Sequence, residues 1–273
     1  MIDENLACDL VADELAPGFV RPAWEDYCFA NVPDTVLSLF GGDAPRPLPA
    51  SVFDGVTTGV ENVVVVLIGG FGWNFFERAR GDHPFLGRLS ERGRVTPLTS
   101  IFPSETAAAV STIHTGRQPA AHAVLGWNAH VEALGGFVQT LPFADREGTP
   151  LADVRDNPDP DPAALIDEET LYERLNARSV LVQPEGIGDD PYDRQVTQRA
   201  DSVSYLNVPQ AGYCVRETIE AAEEPTYCYC YLPTVDAFSY EMGVGPPRDR
   251  RPARRDLQRD RTGDRRETRP GGS

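Results

Sequence analysis

Residues 61–76 read ENVVVVLIGGFGWNFF, and this stretch decides the fold. The apolar run from Val63 to Ile68 is followed directly by Gly69 and Gly70. A short apolar run bounded by turn residues predicts a buried strand. A strand that ends in a tight glycine turn is where open α/β sheets hold their ligands.

Working outward, the chain keeps alternating between strand-like and helix-like segments. A helix is predicted around 74–91, a strand in GRVTPLTSIF (93–102) and a helix in SETAAAVSTIHTG (104–116). Glu105 and Thr106 fall in the first turn of that last helix, and Gly116 lies near its end. NARSVLVQP (176–184) and PTYCYCYLP (225–233) suit buried strands, and VPDTVLSLFG (32–41) a short helix. Between them, DVRDNPDPDPAALIDEE (153–169) reads as an acidic, proline-spaced surface loop leading into a helix near 163–177. This order predicts an α/β fold with a mostly parallel central sheet covered by helices on both faces. Residues 1–58 read as an N-terminal helix-and-loop segment and 59–247 as the α/β domain.

Residues 248–273 depart from this pattern. They hold 10 Arg against 5 acidic residues, a local net of +5, and almost nothing to bury. Such a segment cannot offset its ordering entropy, so disorder is expected. Loss of apolar periodicity with an excess of Arg, Asp, Pro and Gly also matches a GC-rich gene read out of frame.

Across the whole chain, 42 acidic residues face 25 basic ones, a net charge of −17, and every basic residue is Arg. An acidic surface without lysine resembles that of proteins from salt-adapted, haloarchaeal-type microbes, where carboxylates hold water and salt screens their repulsion. Such a surface repels phosphate backbones and anionic membranes, so general nucleic-acid binding is not expected. The start, MIDENLACDLVADEL, carries acids where a signal peptide needs a basic region, and no apolar run is long enough to span a bilayer. A cytoplasmic protein is expected. The five cysteines are odd in number and lack the C-x-x-C spacing of a zinc site. Cys228 and Cys230, two apart in a strand, are expected to pack on one face.

The glycine turn fails as a nucleotide cradle, because Gly70 and Gly72 are followed by Phe75 where the dinucleotide fingerprint needs a third glycine. With no lysine there is no phosphate-binding Walker loop, and no G-x-S-x-G elbow occurs. Thr106 opens a helix directly after a predicted strand, where free N–H groups and the helix dipole favour an anion such as phosphate. A hydroxyl there can attack a phosphoryl group if a metal ion activates it. The alternative is an ordinary threonine that satisfies the helix end.

Residues 61–127 resemble the alkaline-phosphatase superfamily, and within it the nucleotide pyrophosphatase/type I phosphodiesterase branch. The motifs that carry the resemblance are LIGGFGW (67–73), FPSETAAA (102–109) and HTGRQPAAHAVLGW (114–127), followed by YLPTVDAFSYEMG (231–243). It spans roughly residues 60–245 and implies a three-layer α/β sandwich whose C-terminal part is missing here. It also implies two divalent metals, usually zinc, and hydrolysis of small phosphodiesters or nucleotide pyrophosphate bonds. Thr106 matches the nucleophile, which is also a metal ligand, and Asp236 matches a further metal ligand. Gly69 stands where the family has a strand-end aspartate, and Tyr240 where it has a histidine. Gly70 matches the family's turn residue, and His114 and His122 match loop residues that shape the nucleophile's surroundings. Trp127 stands where the branch often carries an asparagine that contacts substrate phosphate. The sulfatase signature C-x-P-x-R is absent. Two expectations follow: a metal-dependent hydrolase impaired by its missing ligands, or an inactive remnant that at most binds an anion.

Overall fold

The computed structural model describes residues 2–154 and 159–243, so the arginine-rich tail and the disorder expected of it lie outside the described residues. The chain opens with helix α1 (Glu4–Ala12), an antiparallel hairpin of β1 (Glu14–Ala16) and β2 (Phe19–Val20), and helix α2 (Val32–Leu39). The valine run forms β3 (Asn62–Ile68), followed by α3 (Trp73–Ala79), α4 (Pro84–Arg92) and α5 (Thr106–Thr115). The one-turn α6 (Pro119–His122) leads to a second hairpin, β4 (Asn128–Val131) and β5 (Gly136–Gln139). Then come α7 (Leu171–Arg174), β6 (Arg178–Pro184), α8 (Pro191–Val196), β7 (Asp201–Tyr205), α9 (Val208–Glu220), β8 (Thr226–Leu232) and α10 (Thr234–Met242).

The central sheet has the order β3-β8-β6-β7, and every pairing in it is parallel. Its two faces follow from the two-residue period of a strand. Val63, Val65 and Leu67 line up with Tyr227, Tyr229 and Tyr231 and pack with Leu181 beneath α2, α5 and α7, against Val36, Leu37, Ile113 and Leu171. The alternate residues Cys228, Cys230 and Val182 pack against Ala211, Cys214 and Ile219 of α9. Helices therefore cover both faces, as the alternating sequence predicts. Cys228 and Cys230 are free, buried thiols on one face of β8. The β4–β5 hairpin packs on α5 through a separate cluster that includes Ala107, Val138, Phe143 and Tyr192. Among the described residues, no helix is long and apolar enough to cross a membrane.

Four expectations need correction. The valine run is the edge strand of the described sheet, not a strand buried on both faces: Val64, Val66 and Ile68 are 40%, 48% and 39% exposed, because α9 covers only the strands beyond β3. The helix expected over 74–91 breaks in two, since a residue that precedes proline is pushed out of the helical region, and Pro84 starts α4 after extended His83. Residues 93–102 form no strand of the sheet. Pro97 interrupts them, and their strand-type pairing is limited to the isolated bridges Ile2–Val95 and Cys28–Thr99. The helix expected over 163–177 shrinks to a 3-10 turn at Pro162–Ala164 and the single turn of α7. There Thr170 and Glu173 cap each other reciprocally and start a new helix.

Candidate functional site

The candidate site lies at the carboxyl ends of β3 and β8, where the chain turns into α10. The Gly69 N–H donates to the Leu232 carbonyl at 3.0 Å, so pairing between the two strands continues one residue past β3. Gly70 then adopts φ +73°, the left-handed conformation that glycine takes without penalty. The close approach of α10 needs the missing side chain as well: a methyl group at position 70 would lie 2.8 Å from the Asp236 Cα. At position 69 a methyl group would meet the Asp236 Cβ at 3.5 Å and the Tyr231 hydroxyl at 3.3 Å. The fold therefore brings Gly69, Gly70 and Asp236 together, although they are far apart in sequence. Burial raises the pKa of Tyr231, and the neighbouring Asp236 charge raises it further, so its hydroxyl stays protonated beside Gly69.

Thr106 is the first residue of α5 and is half-buried. The cap is Glu105: one carboxylate oxygen accepts from the Ala107 N–H at 2.8 Å and the other from the Trp127 N–H at 3.0 Å. The sequence places Glu105 in the first turn, whereas the structure puts it one position earlier, tying the helix start to the loop at Trp127. Thr106 thus does not cap the helix through its side chain, and among the described residues its hydroxyl has no hydrogen-bond partner.

The two histidines support α5 from inside. His114 is 2% exposed; its Nδ1 is hydrogen-bonded to the Tyr172 hydroxyl at 2.6 Å and its ring stands edge-on to Tyr229. Burial holds its pKa down at about 3. His122 Nδ1 accepts from the Val124 N–H at 3.1 Å, so Nε2 carries the proton and donates to Thr112 Oγ1 at 3.1 Å. Burial lowers its pKa to about 4. Both rings are therefore neutral near pH 7, and both nitrogens of His122 are engaged.

Tyr240 lies in the last turn of α10 and is 78% exposed, so it is not drawn into the site. Among the described residues, no group of three or more His, Cys, Asp and Glu side chains could hold a metal ion. The donor chemistry agrees: Gly69 offers no side-chain oxygen, and a neutral phenol is a poor substitute for an imidazole. The described residues at this site do not fit a paired-metal centre.

Sequence reading missed two features of this region. Glu105 bridges to Trp127, a contact that the sequence does not signal because the partner lies 22 residues away. A cleft of about 750 Å3 also runs from Gly70 and Ser104 towards α1 and the β1–β2 hairpin. No local motif marks it, since its walls come from segments distant in sequence.

A family model described as type I phosphodiesterase / nucleotide pyrophosphatase matches residues 63–259. The match starts in the valine run, takes in the glycine turn, α5 and α10, and continues into the arginine-rich segment. No curated protein and no solved structure matches the chain.

Proposed function

The chain belongs to the type I phosphodiesterase/nucleotide pyrophosphatase family, and from that premise we propose that it binds small phosphoesters or nucleotides at the start of α5 and hydrolyses them poorly. The observation that carries this is the contact between Gly69 and Asp236. A Cβ at position 69 would lie 3.5 Å from the Asp236 Cβ, so the place from which a second carboxylate would pair with Asp236 holds a hydrogen.

In this reading the phosphoryl group lies against the N-terminus of α5. The Glu105 carboxylate occupies the Ala107 N–H, and the helix dipole with the other first-turn N–H groups attracts the phosphoryl charge, the Thr106 hydroxyl facing the phosphorus. In family members that hold divalent ions, those ions activate the hydroxyl and neutralise developing charge. The motif match assigns such a role to Asp236, and Glu105 and the two buried histidines hold α5 in position. An unpaired hydroxyl near a phosphate, with no adjacent base, has a high barrier to attack. Binding without efficient turnover follows. The salt-adapted, cytoplasmic setting inferred from the acidic, lysine-free surface belongs to the same proposal.

Hydrolysis of bis(p-nitrophenyl) phosphate by the full chain in high salt, with zinc or manganese added, tests this reading. The wild type is expected to release p-nitrophenol at or near the background rate and to carry no zinc by elemental analysis after purification. Gly69→Asp is expected to gain metal binding and turnover, and Thr106→Ala in that background to lose the turnover again. Stoichiometric zinc and efficient hydrolysis by the wild type would overturn the proposal.

A further inference from the structure

The cleft of about 750 Å3 beside the site has an unusual lining for this chain. Its walls are aromatic: Phe19 from β2, Trp73 and Phe75 from α3, and Phe102 from the segment before α5. Phe19 and Phe102 are 63% and 62% exposed, a large apolar surface to leave in contact with water. None of the residues lining the cleft is acidic, although 42 of the 273 residues in the chain are. Its one charged side chain is Arg78, whose guanidinium lies 4.9 Å above the Phe75 ring and makes no ion pair among the described residues.

A cleft of this size is within the range of small-molecule sites. Polar readout is scarce in it: Thr99 Oγ1 already accepts from the Ala23 N–H and donates to the Tyr27 carbonyl, leaving Asn74, Ser100 and Ser104. Several ring faces, one cation and few donors or acceptors fit an apolar aromatic body with an anionic end better than a nucleobase, whose polar edges would go unpaired. The inner end of the cleft supplies the position for that anion. Ser104 lines it two residues before Thr106, at the start of α5, and Gly70 lines it from the carboxyl end of β3. The outer wall comes from residues within the first 22, outside the family match.

We infer that this cleft holds the aryl group of a phosphoester whose phosphoryl group lies at the start of α5. This rests on the reading of Thr106 given above. Phe19 and Phe102 stack on the aryl body, and Arg78 draws the anion into a molecule whose surface otherwise repels it.

Binding to the full chain in high salt, followed by tryptophan fluorescence and equilibrium dialysis, tests the inference with 2-naphthyl phosphate, 2-naphthol, AMP and inorganic phosphate as probes. 2-Naphthyl phosphate is expected to bind at least about tenfold more tightly than phosphate or AMP. Phe19→Ala is expected to weaken it by roughly three- to tenfold and to leave phosphate affinity unchanged, as the loss of one aromatic contact implies. Phe102→Ala, on a separate chain segment, is expected to do the same, so a folding defect in either variant leaves the other to decide. Equal affinity for naphthyl phosphate and inorganic phosphate would overturn the aryl site and leave the phosphoryl reading standing, and tighter binding of AMP would likewise overturn the aryl assignment. If 2-naphthol bound as well as its phosphate while inorganic phosphate did not bind, the phosphoryl reading would fail, and this inference with it.

Discussion

Gly70 and Gly69 are neighbours with the same side chain and opposite tolerances. Any side chain at position 70 must adopt the left-handed backbone conformation, which costs about 1–2 kcal/mol, and must also push α10 away, because its Cβ would lie 2.8 Å from the Asp236 Cα. At position 69 the nearest atom to an added Cβ is the Tyr231 hydroxyl at 3.3 Å, the far end of a side chain that can move by a few tenths of an ångström. Gly70→Ala is therefore expected to destabilise the protein by roughly 2–4 kcal/mol, and Gly69→Ala by less than about 1 kcal/mol. Urea denaturation of the two variants compares them directly; similar losses would mean that α10 does not sit where the structure places it. The same contrast makes Gly69→Asp a usable probe of function, since position 69 needs no left-handed backbone and its tightest neighbour is the movable Tyr231 hydroxyl.

At the scale of elements, the strands that are covered on both faces were the most legible. PTYCYCYLP became the central β8 and NARSVLVQP became β6, because a continuous apolar run has few other ways to be buried. The valine run reads as a strand, but nothing in it names its partners. A run of one residue type gives no period-two signal, so nothing in it reveals that Val64, Val66 and Ile68 face solvent while Val63, Val65 and Leu67 pack under α2 and α5. The β4–β5 hairpin and β7 lacked strong runs and were not anticipated, and the helices around Pro84 and Thr170 were placed with wrong ends because proline and caps, not periodicity, set them. For the candidate site, the motifs single out Gly70, Thr106 and Asp236 as candidates, whereas the cleft and the bridge from Glu105 to Trp127 depend on contacts that no local pattern encodes. The asymmetry of β3 is open to test. Val65→Thr introduces a hydroxyl on the covered face and is expected to cost about 1–2 kcal/mol, whereas Val66→Thr on the exposed face is expected to change stability by less than about 0.5 kcal/mol. Equal and large losses in urea denaturation would show that the second face of β3 is covered as well.

For the molecule as a whole, the surface and the interior respond to acid in opposite ways. The chain carries a net charge of −17, and the eight ion pairs identified among the described residues lie largely at exposed positions where each is worth at most about 1 kcal/mol, so protonating surface carboxylates mainly relieves repulsion. Concentrated salt screens that contribution and leaves the buried groups to set the pH dependence. Burial depresses His114 to a pKa of about 3 and His122 to about 4, below the ordinary value of 6.5. Between those values and 6.5 the unfolded chain binds protons that the folded chain refuses, so stability falls as the pH drops below 6.5. Asp193 acts in the other direction: burial, together with the charges of Asp190 and Asp189, outweighs its hydrogen bond from the Gly188 N–H and pushes its pKa up to about 6. The folded chain therefore takes up a proton there near pH 6 and gains stability as the pH falls towards 3.8. Two histidines against one aspartate leave a net loss of roughly 2–3 kcal/mol between pH 7 and pH 5, at about 1.4 kcal/mol per proton per pH unit. Urea denaturation in molar salt at the two pH values measures it. Asp193→Asn removes the opposing gain and is expected to steepen the loss by about 1 kcal/mol. Stability that is flat or rising from pH 7 to pH 5 in molar salt would mean that His114 and His122 are not held neutral in the core.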